Sequence, residues 1–405
     1  MEDIVNKFLR YVSFETTSDP NSPSSPSSPL ELVLANQLLS ELDKLGVHCS
    51  LAKGGIVYGH LPANDPSIKT KIGFIAHMDT SPDASGKDIK PQIIENYDGQ
   101  DIVLNKGEDI VMRVRDFPAL RNKKGESLIV TAGTTLLGAD DKAGVAAIMS
   151  TLEYLVNHEE FKHGDIMVAF TPDEEIGRGT ENFDVNFFNC DFAYTVDGSA
   201  VDCIEYENFN AASAKVIIKG INIHPGSAKN KMVNSILLAQ EYNSLLPNNE
   251  RPENTEGYEG FYHLNTIYGD VEQTIMSYII RNHDENKFEK QKAFMHKIEN
   301  YLNDKYGQKF IEVEIKDSYK NMASLFQDKM HIIDIAKKAM TNIGLNPYSL
   351  PIRGGTDGAN LSYMGLLCPN LGAGGYNFHG RFEYLSIDEL KKARKLLLEI
   401  IKLIK

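Results

Sequence analysis

The segment KIGFIAHMDTSPD, residues 71–83, contains an apolar run that stops at His77, with Asp79 two residues later. Residues 72–76 are all apolar or glycine, which predicts a short strand covered on both faces. Because side chains alternate along a strand, His77 and Asp79 point to the same side. Ligands of open α/β sheets usually bind at this carboxyl end of a strand, where a carboxylate can fix the tautomer of an imidazole. Taken alone, the pair favours an ordinary surface histidine near a turn.

Length and composition limit the classes of protein to which this chain can belong. The chain has 405 residues, which predicts two domains rather than one core. No apolar run reaches the roughly 20 residues that span a bilayer, and the acidic N-terminus lacks the features of a signal peptide. Four cysteines without paired spacing predict a reduced, cytoplasmic chain and argue against a cysteine-based zinc site. The net charge of −14 argues against nucleic acid or an anionic membrane as a partner.

Apolar strands alternate with helical segments in residues 1–207 and 321–405. This pattern predicts an α/β domain whose mostly parallel sheet has helices on both faces, although residues 84–135 are polar and irregular with only short β segments. Residues 208–320 show the order β-α-β-β-α-β, which is typical of a ferredoxin-like unit. We therefore expect a smaller α+β lid domain at 208–320, inserted into a catalytic domain made of 1–207 and 321–405.

One segment has low complexity. The stretch DPNSPSSPSSPLE, residues 19–31, contains a Ser-Pro repeat that cannot bury a core and predicts an exposed loop. We expect residues 22–29 to be a surface insertion that lies far from the motifs that carry chemistry.

Five groups of acids and histidines occupy the same position in the pattern. Each lies at the end of an apolar strand or in a Gly-rich turn: His77 with Asp79, Asp140 with Asp141, Glu174 with Glu175, Asp197, and His379. Each also has an ordinary interpretation, such as a helix N-cap, a helix start or a turn. If they meet at one edge of the sheet, the carboxylates repel one another unless a cation binds them. Two imidazoles with carboxylate oxygens suit zinc, with manganese or cobalt as alternatives.

A hydrolytic mechanism follows from such a cluster. Two metal ions about 3.5–4 Å apart can share a bridging carboxylate and a bridging water, whose pKa they lower. The residues divide into one ligand set of His77, Asp140 and Asp197, and a second set of Asp140, Glu175 and His379. Glu174 is then the base that takes the proton of the water and returns it to the leaving amine, while Asp79 orients His77. The predicted reaction is hydrolysis of an amide.

Seven motifs occur in order along nearly the whole chain: AHMDTSPD, TTLLGADDKAG, TPDEEIGRG, TVDG, HPGSAK, RGGTDG and FHGRFEY. Together they resemble the tripeptide aminopeptidases of the cocatalytic dizinc metallopeptidase family, which also includes carboxypeptidases, aminoacylases and acetylornithine deacetylases. The resemblance implies the same five ligands for two zinc ions, Glu174 as the base, and Asp79 behind His77. It also implies tripeptide substrates, a lid domain, and a homodimer formed through that lid.

The resemblance implies roles for four further residues. His224 in HPGSAK helps to polarise the scissile carbonyl, with a turn histidine before Pro225 as the alternative. Arg353 in RGGTDG is a candidate for holding the carboxylate of the peptide, because guanidinium binds carboxylate in a fork. Arg281 is a second candidate, equally compatible with an edge-strand charge, and Asn377 is a candidate hydrogen-bond partner of the substrate.

Three functions remain open. The leading hypothesis is an aminopeptidase that releases the N-terminal residue of tripeptides. A related dipeptidase, or an amidohydrolase acting on N-acyl amino acids, would use the same pair of metals. A non-catalytic binding protein on the same fold is the least favoured, because a site without catalysis has no need of a base at Glu174.

Overall fold

The structure is a computed structural model that describes residues 3–404. Within that range there are nine α-helices: α1 (Ile4–Val12), α2 (Glu31–Lys44), α3 (Ala139–Asn157), α4 (Val185–Phe188), α5 (Ser235–Leu245), α6 (Glu285–Tyr306), α7 (His331–Asn342), α8 (Asp357–Tyr363) and α9 (Ile387–Leu403). The same range contains seventeen strands: β1 (His48–Leu51), β2 (Val57–Leu61), β3 (Ile72–His77), β4 (Gln92–Ile94), β5 (Ile102–Asn105), β6 (Ile110–Met112), β7 (Leu128–Val130), β8 (Ile166–Thr171), β9 (Phe192–Gly198), β10 (Ile204–Glu205), β11 (Asn210–Lys219), β12 (Phe261–Gly269), β13 (Gln273–Asn282), β14 (Ile311–Tyr319), β15 (Asn370–Gly372), β16 (Gly375–Tyr376) and β17 (Tyr384–Ser386).

The main sheet has seven strands in the order β1-β2-β8-β3-β9-β15-β10. Its four inner strands, β8, β3, β9 and β15, run parallel, and the outer pairings, β1 with β2, β2 with β8 and β15 with β10, are antiparallel. Every residue of β3 is buried, because both faces of the sheet are covered. Helix α3 packs against β3 and β9, and a cluster that includes Ile75, Phe188 and Leu361 brings α4 and α8 together on the sheet. The predicted α/β class is confirmed.

A second, smaller sheet was not predicted. It has the order β16-β17-β7-β4 and lies beside the β5–β6 hairpin, with a hydrophobic cluster of its own that includes Tyr97, Met112, Leu128 and Tyr384. Strand β7 pairs with β4 and with β17, which comes from the far end of the chain. The segment that we expected to be irregular is therefore ordered by partners distant in sequence.

The predicted β-α-β-β-α-β unit forms a four-stranded antiparallel sheet in the order β12-β13-β11-β14. Alternate residues of β13 are buried, as a sheet with one covered face requires. The helices α5 and α6 supply that cover, through a cluster that includes Tyr242, Met276 and Met295.

The chain divides into two compact units. Unit 1 contains the residues up to Tyr206, Leu325–Leu350 and those from Thr356 onward, and unit 2 contains Glu207–Ser324 and Pro351–Gly355. The lid predicted at 208–320 corresponds to the larger part of unit 2. Residues 351–355, which we assigned to the catalytic domain, belong instead to unit 2. The reason is local pairing, since Ile352 bridges to Asn208 and Arg353 donates to the carbonyl oxygens of Gly257 and Glu259.

The Ser-Pro segment differs from its prediction. Ser27 is buried, and its backbone N–H donates to the carboxylate of Asp173 at 2.8 Å. The guanidinium of Arg178 donates to the carbonyl oxygens of Ser22 and Ser24. The expectation that this segment lies far from the catalytic motifs is wrong, because its main chain bonds to the loop that carries Glu174.

Two smaller findings concern the whole chain. None of the helices in residues 3–404 is long and apolar enough to cross a membrane. The four cysteines, Cys49, Cys190, Cys203 and Cys368, are free thiols.

Candidate metal centre

Three parallel strands deliver acids and a histidine to one edge of the main sheet. Strand β3 ends at His77, which is paired in register with Thr171 at the end of β8. The chain that leaves β8 turns at once into Glu174 and Glu175, and Asp197 lies near the end of β9. Because these strands run in the same direction, their carboxyl ends meet, as expected for a ligand site in an α/β sheet.

The first ligand group is formed by His77, Asp140 and Asp197. The Nε2 atom of His77 lies 2.9 Å from Oδ1 of Asp140 and 3.4 Å from Oδ1 of Asp197. The other ring nitrogen, Nδ1, lies 3.1 Å from the carbonyl oxygen and 3.3 Å from the carboxylate of Asp79. With its Nδ1–H directed at Asp79, the imidazole presents Nε2 to the two acids, which is the tautomer that a metal ligand needs.

The second group is formed by Asp140, Glu175 and His379. The Nε2 atom of His379 lies 2.8 Å from Oε2 of Glu175 and 3.3 Å from Oδ2 of Asp140. Asp140 therefore directs Oδ1 toward His77 and Oδ2 toward His379. Within each group, the candidate ligand atoms lie within 4.8 Å of one another. One carboxylate shared between two groups of this kind is the arrangement that a dinuclear centre uses.

The charges in this cluster are unbalanced. Burial and the neighbouring Asp140 raise the pKa of Asp197 well above its usual range. Burial opposes a charge on His77, but the carboxylates of Asp197 and Asp140 outweigh it and raise the pKa of the imidazole. Hydrogen bonds with Asp140 and Glu175 raise the pKa of His379 to about 11. The acids thus draw positive charge into the cluster, as they would draw divalent cations.

A buried carboxylate oxygen gives an independent test of whether these residues suit a bound metal ion. Among the described residues, no hydrogen-bond partner reaches Oε1 of Glu175, which is buried. Leaving such an acceptor unsatisfied costs about 1–3 kcal/mol, and more when the group is charged. A cation adjacent to Glu175 would satisfy it, and the imidazole and carboxylate donors fit two borderline ions such as Zn²⁺.

Asp79 does more than was predicted. Its carboxylate, which is fully buried, accepts the backbone N–H groups of Glu174 at 3.0 Å and of Glu175 at 3.1 Å. The same side chain faces Nδ1 of His77. One residue therefore holds a candidate ligand of the first group and the main chain that carries a ligand of the second.

Glu383 is a residue of the site that sequence reasoning missed. Its buried carboxylate accepts the backbone N–H groups of Leu137 at 2.6 Å, Gly138 at 2.8 Å and Asp140 at 3.1 Å. Burial raises its pKa to about 7 against these hydrogen bonds. The available signal was its place in FHGRFEY, the motif that also contains His379.

Helix α3 also depends on the residues around Asp140. The carboxylate of Asp141 accepts the N–H of His77 at 3.2 Å and that of Gly144 at 3.0 Å. A Cβ atom at Gly144 would collide with the carbonyl oxygen of Val196. Glycine at this position lets the first turn of α3 lie directly against β9, beside Asp197.

The remaining candidate in unit 1, Asn377, makes local contacts. Its backbone has a positive φ of 55°, which Asn tolerates better than most residues. Its side-chain amide donates to the carbonyl oxygen of Phe382 at 3.1 Å. This bond closes the turn that carries His379, and a contact with substrate stays a prediction.

The candidates in unit 2 have local partners as well. Both terminal nitrogens of Arg353 donate within the unit, to carbonyl oxygens and to Oγ1 of Thr255, so its fork is already in use. Arg281 donates to the carbonyl oxygen of Ile280 at 3.0 Å and lies over the ring of Tyr319. His224 is exposed, and its Nδ1 accepts the N–H of Gly226 at 3.2 Å. Its proton is therefore on Nε2, which is directed away from that bond.

Comparison with known proteins decides the family. Residues 137–403 match the model of "Peptidase family M20/M25/M40". A curated relative, "Peptidase T" from Clostridium novyi, is 55% identical over 404 residues, covering 100% of this chain and 99% of the relative.

The chain belongs to peptidase family M20/M25/M40. The identity over the full length makes it a hydrolase of the metallo-aminopeptidase class, as the sequence resemblance predicted.

Solved structures of low identity agree in fold with this M20/M25/M40 chain. The aminopeptidase PepT from Bacillus cereus is 24% identical with a TM-score of 0.78, covering 98% of this chain and 97% of its own. A tripeptidase from Staphylococcus aureus is 22% identical with a TM-score of 0.79, covering 99% and 97%. A dinuclear metal-binding M20 peptidase from Bacillus subtilis is 14% identical with a TM-score of 0.62, covering 99% and 97%.

Proposed function

We propose that this chain releases the N-terminal residue of tripeptides with two zinc ions held by His77, Asp140, Glu175, Asp197 and His379. The observation that supports this most strongly is the position of Asp140, whose two oxygens face different histidines. When bound, the two ions would activate a water molecule and polarise the scissile carbonyl. The names of the relatives, peptidase T and tripeptidase, support the choice of substrate.

Glu174 is the general base in this proposal. Its main chain is held by Asp79, while no described residue donates a hydrogen bond to its carboxylate. Burial, together with the carboxylates of Asp197 and Asp357, raises the pKa of Glu174 well above its usual range. A carboxylate with a raised pKa accepts a proton from the attacking water more readily and then delivers it to the nitrogen of the leaving amine.

The test is Glu174→Gln, with Glu160→Gln on the exposed surface as its control. We expect kcat on a tripeptide to fall by about 10²–10⁴-fold, the range of general acid–base catalysis, while two metal ions per chain are retained. The control should keep both kcat and metal. A Glu174→Gln enzyme with normal kcat would remove the base assignment, and a wild-type chain with fewer than two ions would remove the dinuclear centre.

The choice among related substrates needs a separate measurement. The purified enzyme is supplied with tripeptides, dipeptides and N-acyl amino acids, and the released amino acid is quantified. Release from tripeptides alone supports the proposal, whereas preference for another class supports the dipeptidase or the amidohydrolase. In the same assay, His224→Ala should lower kcat, because its Nε2–H is the donor proposed for the scissile carbonyl.

We also propose that the enzyme is a cytoplasmic homodimer that associates through unit 2. Strand β12 is an edge strand of the unit 2 sheet, and its exposed side chains include Ile267 and Tyr268. Exposed edges of this kind pair readily with a second chain. Sedimentation analysis of wild type and of Tyr268→Lys tests the interface, since the charge should shift a dimer toward monomer. The four free thiols support a reducing compartment, which cell fractionation can test.

A further inference from the structure

The N-terminal segment of residues 16–31, here called the strap, bonds to the loop after β3. Thr17 forms a parallel bridge with Thr80. The N–H of Ser18 donates to the carbonyl oxygen of Thr80 at 3.2 Å. The N–H of Thr80 donates to the carbonyl oxygen of Thr16 at 3.1 Å. Thr80 follows Asp79 directly, so this end of the strap is joined to the residue that faces His77.

The middle of the strap bonds to Asp173, the residue before Glu174. The N–H of Ser27 donates to both oxygens of the Asp173 carboxylate, at 3.0 and 2.8 Å. In return, the N–H of Asp173 donates to Oε2 of Glu31 at 3.1 Å. The other oxygen of Glu31 accepts the N–H of Ser28 at 3.1 Å, which ties the glutamate back to the strap. Asp173, Ser27 and Glu31 are all buried, so these bonds are shielded from water.

The strap also holds the far side of the same loop. The guanidinium of Arg178 donates to the carbonyl oxygens of Ser22 at 2.9 Å and Ser24 at 2.6 Å. The amide of Asn182 donates to the hydroxyl of Ser25 at 3.0 Å. The loop is therefore bonded to the strap before Glu174 and after Glu175.

Residues 172–177, here called the Glu174 turn, need this support. Asp79 accepts two N–H groups of the turn, but it does so from one side. Asp173 has a positive φ of 59°, a conformation that costs a non-glycine residue roughly 1 kcal/mol or more unless the surroundings hold it. Among the described residues, the carboxylate of Glu175 pairs through Oε2 with the half-exposed His379, and its Oε1 has no hydrogen-bond partner.

We propose that Asp173, Ser27 and Glu31 are positioning residues of the catalytic reaction, which act by fixing the Glu174 turn to the strap. This inference rests on the proposed function and adds that the Ser-Pro segment belongs to the metal centre. It has a selective consequence, because Glu175 contributes to the second ligand group only. Loosening the turn should weaken the binding of one metal ion and leave the group of His77, Asp140 and Asp197 intact.

The test compares Asp173→Gly with Asp173→Asn, and uses Asn21→Ala in the exposed part of the strap as control. Glycine keeps the positive φ and removes the carboxylate, whereas asparagine keeps an oxygen that can accept the N–H of Ser27. Co²⁺ is added stepwise to the metal-free chain and followed by its absorption. We expect one of the two binding steps of Asp173→Gly to lose about 10–100-fold in affinity, with the other step unchanged and with partial recovery in Asp173→Asn.

A second measurement does not depend on metal or turnover. Hydrogen exchange of the metal-free chain should quicken at the amides of Glu174 and Glu175 in Asp173→Gly, and stay unchanged in β3. If Asp173→Gly fails to fold, Arg178→Ala removes two of the outer contacts of the strap, those with Ser22 and Ser24, and should show the same selective exchange. Equal loss at both metal steps, or unchanged exchange at the turn, would overturn the inference. Failure of the wild-type chain to bind two ions would instead overturn the proposed function.

Discussion

The two acidic turns of the metal centre are held in place by different means. Residues 137–141, here called the Asp140 turn, have three N–H groups bound by the single carboxylate of Glu383. The Glu174 turn is held from two sides, by Asp79 and by the strap through Asp173. In both, a buried carboxylate from another part of the chain binds the main chain, so that Asp140 and Glu175 can present their side chains as candidate ligands.

The two turns differ in how many residues hold their main chain. The Asp140 turn supplies the carboxylate shared by both candidate ligand groups, and three of its main-chain N–H groups are held by the single carboxylate of Glu383. The Glu174 turn contributes to one group and spreads its support over several residues. Damage to the first turn should therefore affect both metal ions, and damage to the second should affect one. The following predictions test that contrast.

Removing the shared ligand should have the largest effect. In Asp140→Ala both ligand groups lose a carboxylate, so we expect binding of both ions and all peptidase activity to be lost. Glu175→Ala removes a ligand from the second group alone and should retain one ion. Metal analysis after equilibrium dialysis measures both variants, with Asp328→Ala on the exposed surface as control. If Glu175→Ala also loses both ions, the contrast between the two turns is wrong.

Removing the anchor of the Asp140 turn should come next. In Glu383→Gln the side chain keeps one acceptor oxygen, while its amide group faces a main-chain N–H that had a partner. We expect both metal ions to bind about 10–100-fold more weakly, the usual effect of losing a group that orients a ligand. Stepwise metal titration gives both affinities. Weakening of a single step would show that Glu383 acts on one ligand group only.

The close contact of helix α3 with β9, just after the Asp140 turn, can be tested by measuring stability. In Gly144→Ala the new methyl group would collide with the carbonyl oxygen of Val196, so the helix must shift. We expect the free energy of unfolding of the metal-free protein to fall by about 3 kcal/mol in urea.

Gly177→Ala is the matched control for that substitution in the Glu174 turn. Its φ is +73°, and the added Cβ would meet nothing within 4 Å. Only the backbone conformation opposes alanine, which should cost about 1 kcal/mol. Equal losses in the two variants would show that the close approach to β9 is not what makes Gly144 necessary.

The last prediction concerns the support of Asp197. Oδ1 of Asn370 accepts the N–H of Asp197, and its amide donates to Glu205, whose pKa is raised by burial from 4.5 to about 6. Because the folded pKa is the higher one, the stabilising contribution of Glu205 is present below about pH 4.5 and is lost as the pH rises through about 6. We expect metal-free wild type to lose up to about 2 kcal/mol over this range relative to Glu205→Gln. The free energy of unfolding is measured in urea at several pH values for both proteins. The same pH dependence in wild type and in Glu205→Gln would contradict this prediction.

Several ligand candidates are predictable from sequence because each is an acid or a histidine and lies at or just after the end of an apolar strand. His77 and Asp197 end apolar strands, and Glu175 follows another, so the parallel topology brings them to one edge. The strands of unit 2 are predictable because they are long and half-covered, as the alternating burial of β13 shows. The fold class and the family follow from such patterns together with the ordered motifs.

The anchors are not predictable, because they act on main-chain atoms. Glu383 accepts an N–H of Asp140, which is 243 positions away, and nothing in the residue types at either position encodes that bond. The Ser-Pro segment has the composition of a solvated loop, yet its partners are formed by its amides and carbonyl oxygens. The small second sheet is not predictable for a related reason. Three-residue strands such as β7 are too short to show a periodic pattern, and they pair with strands far away in the sequence.

The spread of these bonds along the chain determines when proteolytic activity can arise. The strap comes first in the chain, His77 and Asp197 follow it, and His379 and Glu383 come far later than all of these. A chain in synthesis cannot close the proposed centre before His379 has been made, because the second ligand group includes that histidine. Contacts between such distant positions also slow folding. On the proposed ligand set, the centre is complete only after the chain from the strap to Glu383 has assembled, and a proteolytic fragment that ends before His379 lacks one ligand.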